Sequence, residues 1–250
     1  MPRQARTYSE SGYMHLITRG IGKQSLFEER HDYQYYLYLL KKYANEMSIR
    51  ICAYCLMENH VHLLVKDDLM NSSLFMKKIG ICYAQYFNKK YERRGHLYQD
   101  RFIGKPVENE KALITVFRYI LNNPRKAGLC KASKYKWSSY SLYGEKEGLT
   151  DTSVFETLIG DKEHFRRFMD EETDCNLPYD RSWLSKEMTH RIIKEVLGTS
   201  SGTVLQSFSK KIRDEYIRQL KERGLSNKQI ERLTGISYGI VYRAVRNGSG

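Results

Sequence analysis

The stretch "IRICAYCLMENHVHLLVKDD", residues 49–68, decides how this chain is read. It is dense in β-branched, aromatic and apolar residues and breaks once, at Glu58 and Asn59, which are natural turn formers. That pattern predicts a β-hairpin in which residues 49–57 pair with 59–66. Side chains alternate along a strand, so His60 and His62 share one face while Val61 and Leu63 enter a core on the other. Two neutral imidazoles side by side can grip one divalent ion that takes further ligands. The plainer alternative is a pair of half-buried histidines bonded to their neighbours. The motif needs a second half.

Working outward, "GYMHLITRG" before the hairpin alternates between glycines and predicts a first strand. "HDYQYYLYLLKKYANEM" repeats apolar residues at helical spacing, with Asp32 near its start. After the hairpin, "NSSLFMKKIGICYAQYFNKKYERR" predicts a second helix capped by Asn71 or Ser72, with a basic end. "HLYQDRFIGKPVE" reads as a fourth strand, and "NEKALITVFRYILNNP" as a third helix stopped at Asn123-Pro124. The order β-α-β-β-α-β-α is that of an α+β, ferredoxin-like antiparallel sheet with an extra helix.

Composition narrows the partners. The 250 residues carry 42 Lys/Arg and 29 Asp/Glu, a net charge of +13. Residues 1–143 hold 24 basic against 12 acidic side chains, 144–180 hold 4 against 11, and 186–250 hold 13 against 6. Two basic blocks flanking an acidic one point to a polyanion. The 20 tyrosines, many beside cations as in "YFNKKYERRGHLYQDRF", suit bases stacking on rings while Lys and Arg meet phosphates; others fill amphipathic faces. No run of 18 apolar residues and no apolar leader occur, so no membrane association is expected. Five cysteines without disulfide-like spacing, the Cys52/Cys55 pair facing opposite sides of a strand, fit a reducing cytoplasm.

Three segments are expected: a catalytic domain over 1–143, an acidic, partly helical connector over 144–185, and a small all-α domain over 186–250. In the last, "LSNKQIERLTGISYGIVYRAVRNG" has the grammar of a helix-turn-helix centred on Gly235, with Ser226 as a cap. Ile230, Leu233, Ile236, Val241 and Val245 would be buried, and Ser237, Tyr238, Tyr242 and Arg243 would face DNA. An ordinary helical hairpin is the alternative.

The third helix supplies the second half of the site. In "RYILNNP", Tyr119 and Asn123 lie four apart and project from one helix face. A ferredoxin-like sheet leaves one face open, and a helix crossing it brings both over His60 and His62. Two imidazoles, an amide, a phenol and a basic surround suit phosphoryl transfer. Tyr98 is the second candidate nucleophile.

"CLMENHVHLLV", "GHLYQDRF", "YILNNPRKAGL" and "WSSY", together spanning about residues 8–143, resemble the REP-associated tyrosine transposases of the HUH superfamily of single-strand DNA endonucleases. The resemblance implies that His60 and His62 hold a divalent metal, with Asn123 completing its shell. It implies further that Tyr119 attacks a DNA phosphate to give a 5′-phosphotyrosine. The family commonly has proline where Glu58 stands and histidine where Leu121 stands; neither is a ligand position. Two nitrogens and an amide oxygen, with phosphate and water, suit Mg²⁺ or Mn²⁺. The expected partner is single-stranded DNA with hairpins, such as repetitive palindromic elements, met by a monomer or homodimer in the cytoplasm at the nucleoid. Arg19, Arg101, Arg125 and Lys126 are the candidate DNA contacts of the catalytic block. A nickase of replication or transfer, a catalytically silent DNA-binding regulator and a hydrolytic metalloenzyme are the alternatives.

Overall fold

The computed structural model describes residues 9–171, 177, 186–199, 201–225 and 227–246. Within the first 125 residues the elements run β1 (Tyr13–Arg19), α1 (Arg30–Met47), β2 (Arg50–Met57), β3 (His60–Lys66), α2 (Leu69–Lys90), β4 (Ile103–Pro106) and α3 (Glu110–Leu121). The strands form one antiparallel sheet in the order β2-β3-β1-β4, the split βαβ arrangement that the sequence predicts.

The two faces of the sheet divide by residue parity. Met14 and Leu16 of β1, Tyr54 and Leu56 of β2, and Val61, Leu63 and Val65 of β3 form a core with Leu40 of α1 and Phe75, Ile79 and Tyr83 of α2. α3 packs on β2 and β3. Its Tyr119 ring lies beside His62, which belongs to the opposite parity of β3, so α3 covers the other face. β2 is an edge strand, and the stretch around Trp137 covers it. The Leu56 amide donates to the Trp137 carbonyl at 2.9 Å, and the Tyr54 amide to Ser139 Oγ at 2.9 Å. Unpaired edge groups that would otherwise template aggregation are thereby satisfied.

α1 and α2 are tied together by a buried carboxylate. Asp32 accepts from the Glu28 and Glu29 amides at 2.9 and 3.0 Å, Tyr86 Oη at 2.9 Å, Tyr91 Oη at 2.7 Å and Lys90 Nζ at 2.6 Å. Burial alone would disfavour its charge. The bonds from Lys90, Tyr91 and the two amides outweigh burial and hold the carboxyl below its ordinary range.

Two local expectations are corrected. α2 begins at Leu69 and its cap is Asp68, whose carboxylate accepts from the Asn71 amide at 2.7 Å, so neither Asn71 nor Ser72 is the cap. Asp68, three residues before Asn71, does the same job and adds nearly a full turn. The fourth strand is shorter than the predicted 96–108 run. Before Ile103 only the Gly20–Tyr98 bridge pairs, because the chain turns at Asp100, whose carboxylate takes the Arg101 amide at 2.7 Å. Gly20 lets the loop after β1 fold back on itself: a Cβ there would stand 2.1 Å from the Gln24 carbonyl oxygen.

The chain divides into two compact units, residues 1–125 with 130–177 and residues 126–129 with 178–250. After the turn α4 (Asn123–Lys126), the acidic stretch expected as a connector contains α5 (Ser153–Ile159) and α6 (Lys162–Asp170). Through residue 177 it is part of the first unit. Phe155 stacks on Phe117 of α3 at 3.8 Å, and Phe165 stacks on Tyr143 at 3.9 Å. The second unit contains α7 (Lys186–Leu197), α8 (Lys210–Glu222), α9 (Asn227–Thr234) and α10 (Tyr238–Arg246) around Ile193, Leu205, Ile217, Leu220, Ile230 and Val241. Gly235, at φ +71°, makes the turn between α9 and α10. The Ser226 cap lies outside the described residues. No helix among the described residues is long and apolar enough to cross a membrane.

Asp32→Asn removes the charge but leaves Lys90 half-enclosed, and is expected to lower stability by about 3 kcal/mol in denaturant titration. Because the folded carboxyl titrates below its unfolded value, the Asp32 contribution is complete above the unfolded value, about pH 4. It fades as pH falls through the folded value. The gap between parent and variant should therefore close on acidification.

Candidate active site

β3 presents His60, His62 and Leu64 to α3, and the register aligns Arg19 with His60 and Ile17 with His62. On β1, two residues from Ile17, stands His15. Its Nε2 lies 2.9 Å from His62 Nδ1, and the two rings stack with centroids 5.1 Å apart. The His60 ring meets His62 edge-on at 4.9 Å. From above, the Tyr119 ring meets His62 at 5.7 Å and His15 at 6.2 Å, both edge-on. Three imidazoles and one phenol thus converge under α3. His15 and His62 are fully buried, Tyr119 is 1% exposed and His60 8%.

His60 Nδ1 lies 2.7 Å from Asn59 Oδ1. An amide oxygen only accepts, so this bond places the proton of neutral His60 on Nδ1 and the lone pair on Nε2. Metal-ligating histidines are oriented in this way by a second bond. Asn123, one turn beyond Tyr119, is buried and donates its Nδ2 to the Tyr119 carbonyl at 3.0 Å. That bond uses the amide's donor end and leaves Oδ1 as the acceptor end. Among the described residues no three His, Cys, Asp or Glu side chains converge on a cation position.

The candidate contacts separate in space. Arg19 lies on the histidine face, directly across from His60. Lys105, which sequence reasoning passed over, pairs with His15 and shares that face. Arg101 lines a cavity of about 690 Å³ with Thr18 and with Ser73, Lys77 and Gly80 of α2, on the opposite face of the sheet. Tyr98 lines the same cavity, and burial pushes its phenol well above the ordinary range, so it is poorly placed and poorly disposed to act as a nucleophile. Arg125 is exposed in the turn after α3, and Lys126 follows it. In the second unit Ser237, Tyr238, Tyr242 and Arg243 are all exposed, and the rings of Tyr238 and Tyr242 stack 6.4 Å apart.

His15 is the site residue that sequence reasoning missed. The signal available was a lone histidine in the otherwise apolar alternation "YMHLITR", at the parity that faces away from the core. The pairing of β1 with β3 alone shows which histidine it meets.

Residues 8–123 match the model of the family described as "Transposase IS200 like". No curated protein matches the chain in sequence. Among solved structures, a REP-associated tyrosine transposase bound to a REP hairpin aligns with a TM-score of 0.50 at 19% identity, over 61% of this chain and 96% of its own. At that identity the likeness is one of fold.

Asn123→Ala removes the amide that closes the end of α3. Stability is expected to fall by about 1 kcal/mol, read as a shift of the denaturant midpoint.

Proposed function

Taking residues 8–123 as a transposase domain of the IS200-like kind, we propose that this chain is a metal-dependent single-strand DNA endonuclease and strand transferase that forms a 5′-phosphotyrosine at hairpin-bearing DNA. The observation that carries the reading is the placement of the Tyr119 ring 5.7 Å from His62, on the helix whose Tyr119 carbonyl accepts from Asn123 just beyond its end.

The residues fit a divalent metal: His60 is held with Nε2 as its lone-pair nitrogen, His62 lies beside it, and Asn123 keeps an amide oxygen. Mg²⁺ or Mn²⁺ accepts such donors together with phosphate and water. Bound there, the ion would draw charge from a non-bridging phosphate oxygen and favour the phenolate. Tyr119 Oη attacks the phosphorus and gives up its proton. The bond to the 3′ oxygen breaks, and that oxygen takes up a proton as a 3′-hydroxyl. The 5′ phosphate stays on Tyr119. The phenol, with a free pKa near 10, is a tolerable leaving group, so a 3′-hydroxyl reverses the step without ATP. Arg19 and Lys105, on the same face of the sheet, supply positive charge for the strand. Tyr119 and His62 are buried in the DNA-free chain, so this reading requires strand binding to uncover them.

The exposed Tyr238, Tyr242 and Arg243 of α10 give the second unit a surface for DNA of helix-turn-helix type. It would steady the complex without touching the chemistry.

Tyr119→Phe deletes one oxygen and keeps the ring. Affinity for hairpin-bearing single-stranded DNA should stay within a few-fold of the parent, while strand cleavage disappears. Undiminished cleavage by the variant would sink the assignment. Binding itself should weaken by at least about a hundredfold between roughly 50 and 200 mM salt. Salt-independent binding, measured by fluorescence anisotropy, would contradict a phosphate-tracking surface.

A further inference from the structure

We propose that His15 is a positioning residue: it holds His62 in the tautomer and orientation that offer Nε2 to a divalent ion. This rests on the reading of His60 and His62 as the metal-holding pair.

A neutral imidazole has one N–H and one lone pair. The 2.9 Å contact between His15 Nε2 and His62 Nδ1 needs an N–H from one side and a lone pair from the other. If His62 donates, its Nε2 carries the lone pair. If His15 donates, His62 Nε2 carries the proton and cannot bind a cation. His60 is already in the first state, because Asn59 Oδ1 takes its Nδ1 proton at 2.7 Å. With His15 as acceptor, both histidines present the same nitrogen, each backed by a bond on the other.

Position supports the same role. His15 is fully buried on β1, where its register partner is Leu64, and Ile17, two residues on, is the residue opposite His62. A buried imidazole costs free energy unless its polar atoms are bonded, and the contact with His62 meets that need for Nε2. The role assigned to His15 is that of acceptor rather than ligand, because its Nε2 is engaged by His62. The Tyr119 ring rests edge-on against both members of the pair, so the same bond also braces the wall beside the phenol.

The test combines histidine-labelled long-range ¹H–¹⁵N spectra of the metal-free chain with Mn²⁺ binding followed by electron paramagnetic resonance. His15→Gln places an amide oxygen near the position of the lost Nε2 and can still accept; His15→Phe cannot. The parent and His15→Gln should show His62 protonated on Nδ1 and bind Mn²⁺ within a few-fold of each other. His15→Phe should show mixed His62 tautomers and lose about 10- to 100-fold in Mn²⁺ affinity. A parent with His62 protonated on Nε2 overturns the proposal, and so does a His15→Phe chain that binds Mn²⁺ like the parent. Equal, large losses in both variants would mark His15 as a ligand and overturn it too. If His15→Phe fails to fold, the parent spectrum and His15→Gln still decide. A parent with Nδ1-protonated His62 but no Mn²⁺ binding supports the positioning bond and removes the metal reading of the site.

Discussion

The alternation of side chains along β3 is the constraint from which both the core and the candidate site follow. Val61, Leu63 and Val65 are buried against α1 and α2, and that obliges His60, His62 and Leu64 to face α3. A slip of one residue would exchange the two sets, placing imidazoles in the core and valines under Tyr119. β3 is paired on both sides, with β2 and with β1, and this locks its register. The bulge between Ile51 and Ala53 takes up the irregularity in β2, away from the histidines.

What surrounds the site is held by polar groups in apolar settings. Asp32 joins the start of α1 to the end of α2 through bonds to two amides, two phenols and one ammonium. On the other face, the His15–His62 contact and the Asn59–His60 contact fix two rings that would otherwise rotate. Networks of this kind specify one arrangement because any half-satisfied alternative leaves a buried polar atom bare. α3 is held by apolar contact instead: Phe117 stacks on Phe155, so its far side rests on α5 rather than on solvent.

Much of this was legible in the chain, and what was not has physical causes. Strand parity and helical spacing are local, so the hairpin, the three helices and the shared face of His60 and His62 could be read directly. The element order β-α-β-β-α-β-α was readable as well, and the sheet it forms has the order β2-β3-β1-β4. The cap of α2 was misplaced because Asp68, Asn71 and Ser72 are all competent caps, and the tertiary position of the turn chooses among them. The acidic stretch read as a connector because its charge masks Phe155 and Phe165, spaced too widely to signal a buried face. His15 was silent for a related reason. A lone histidine in a strand acquires meaning only from its cross-strand neighbour, and that pairing is not local. Arg101 and Tyr98 drew attention through composition, yet they lie on the α2 side of the sheet.

The central claim is that one phenol, Tyr119, stands at the histidine face to take the phosphate. Its most direct test is to trap the covalent product formed on labelled hairpin-bearing single-stranded DNA with Mg²⁺, digest it, and sequence the nucleotide-bearing peptide by mass spectrometry. The account predicts a single modified peptide carrying a 5′-phosphonucleotide on Tyr119. A nucleotide on any other tyrosine, or cleavage with no peptide modified, would contradict it.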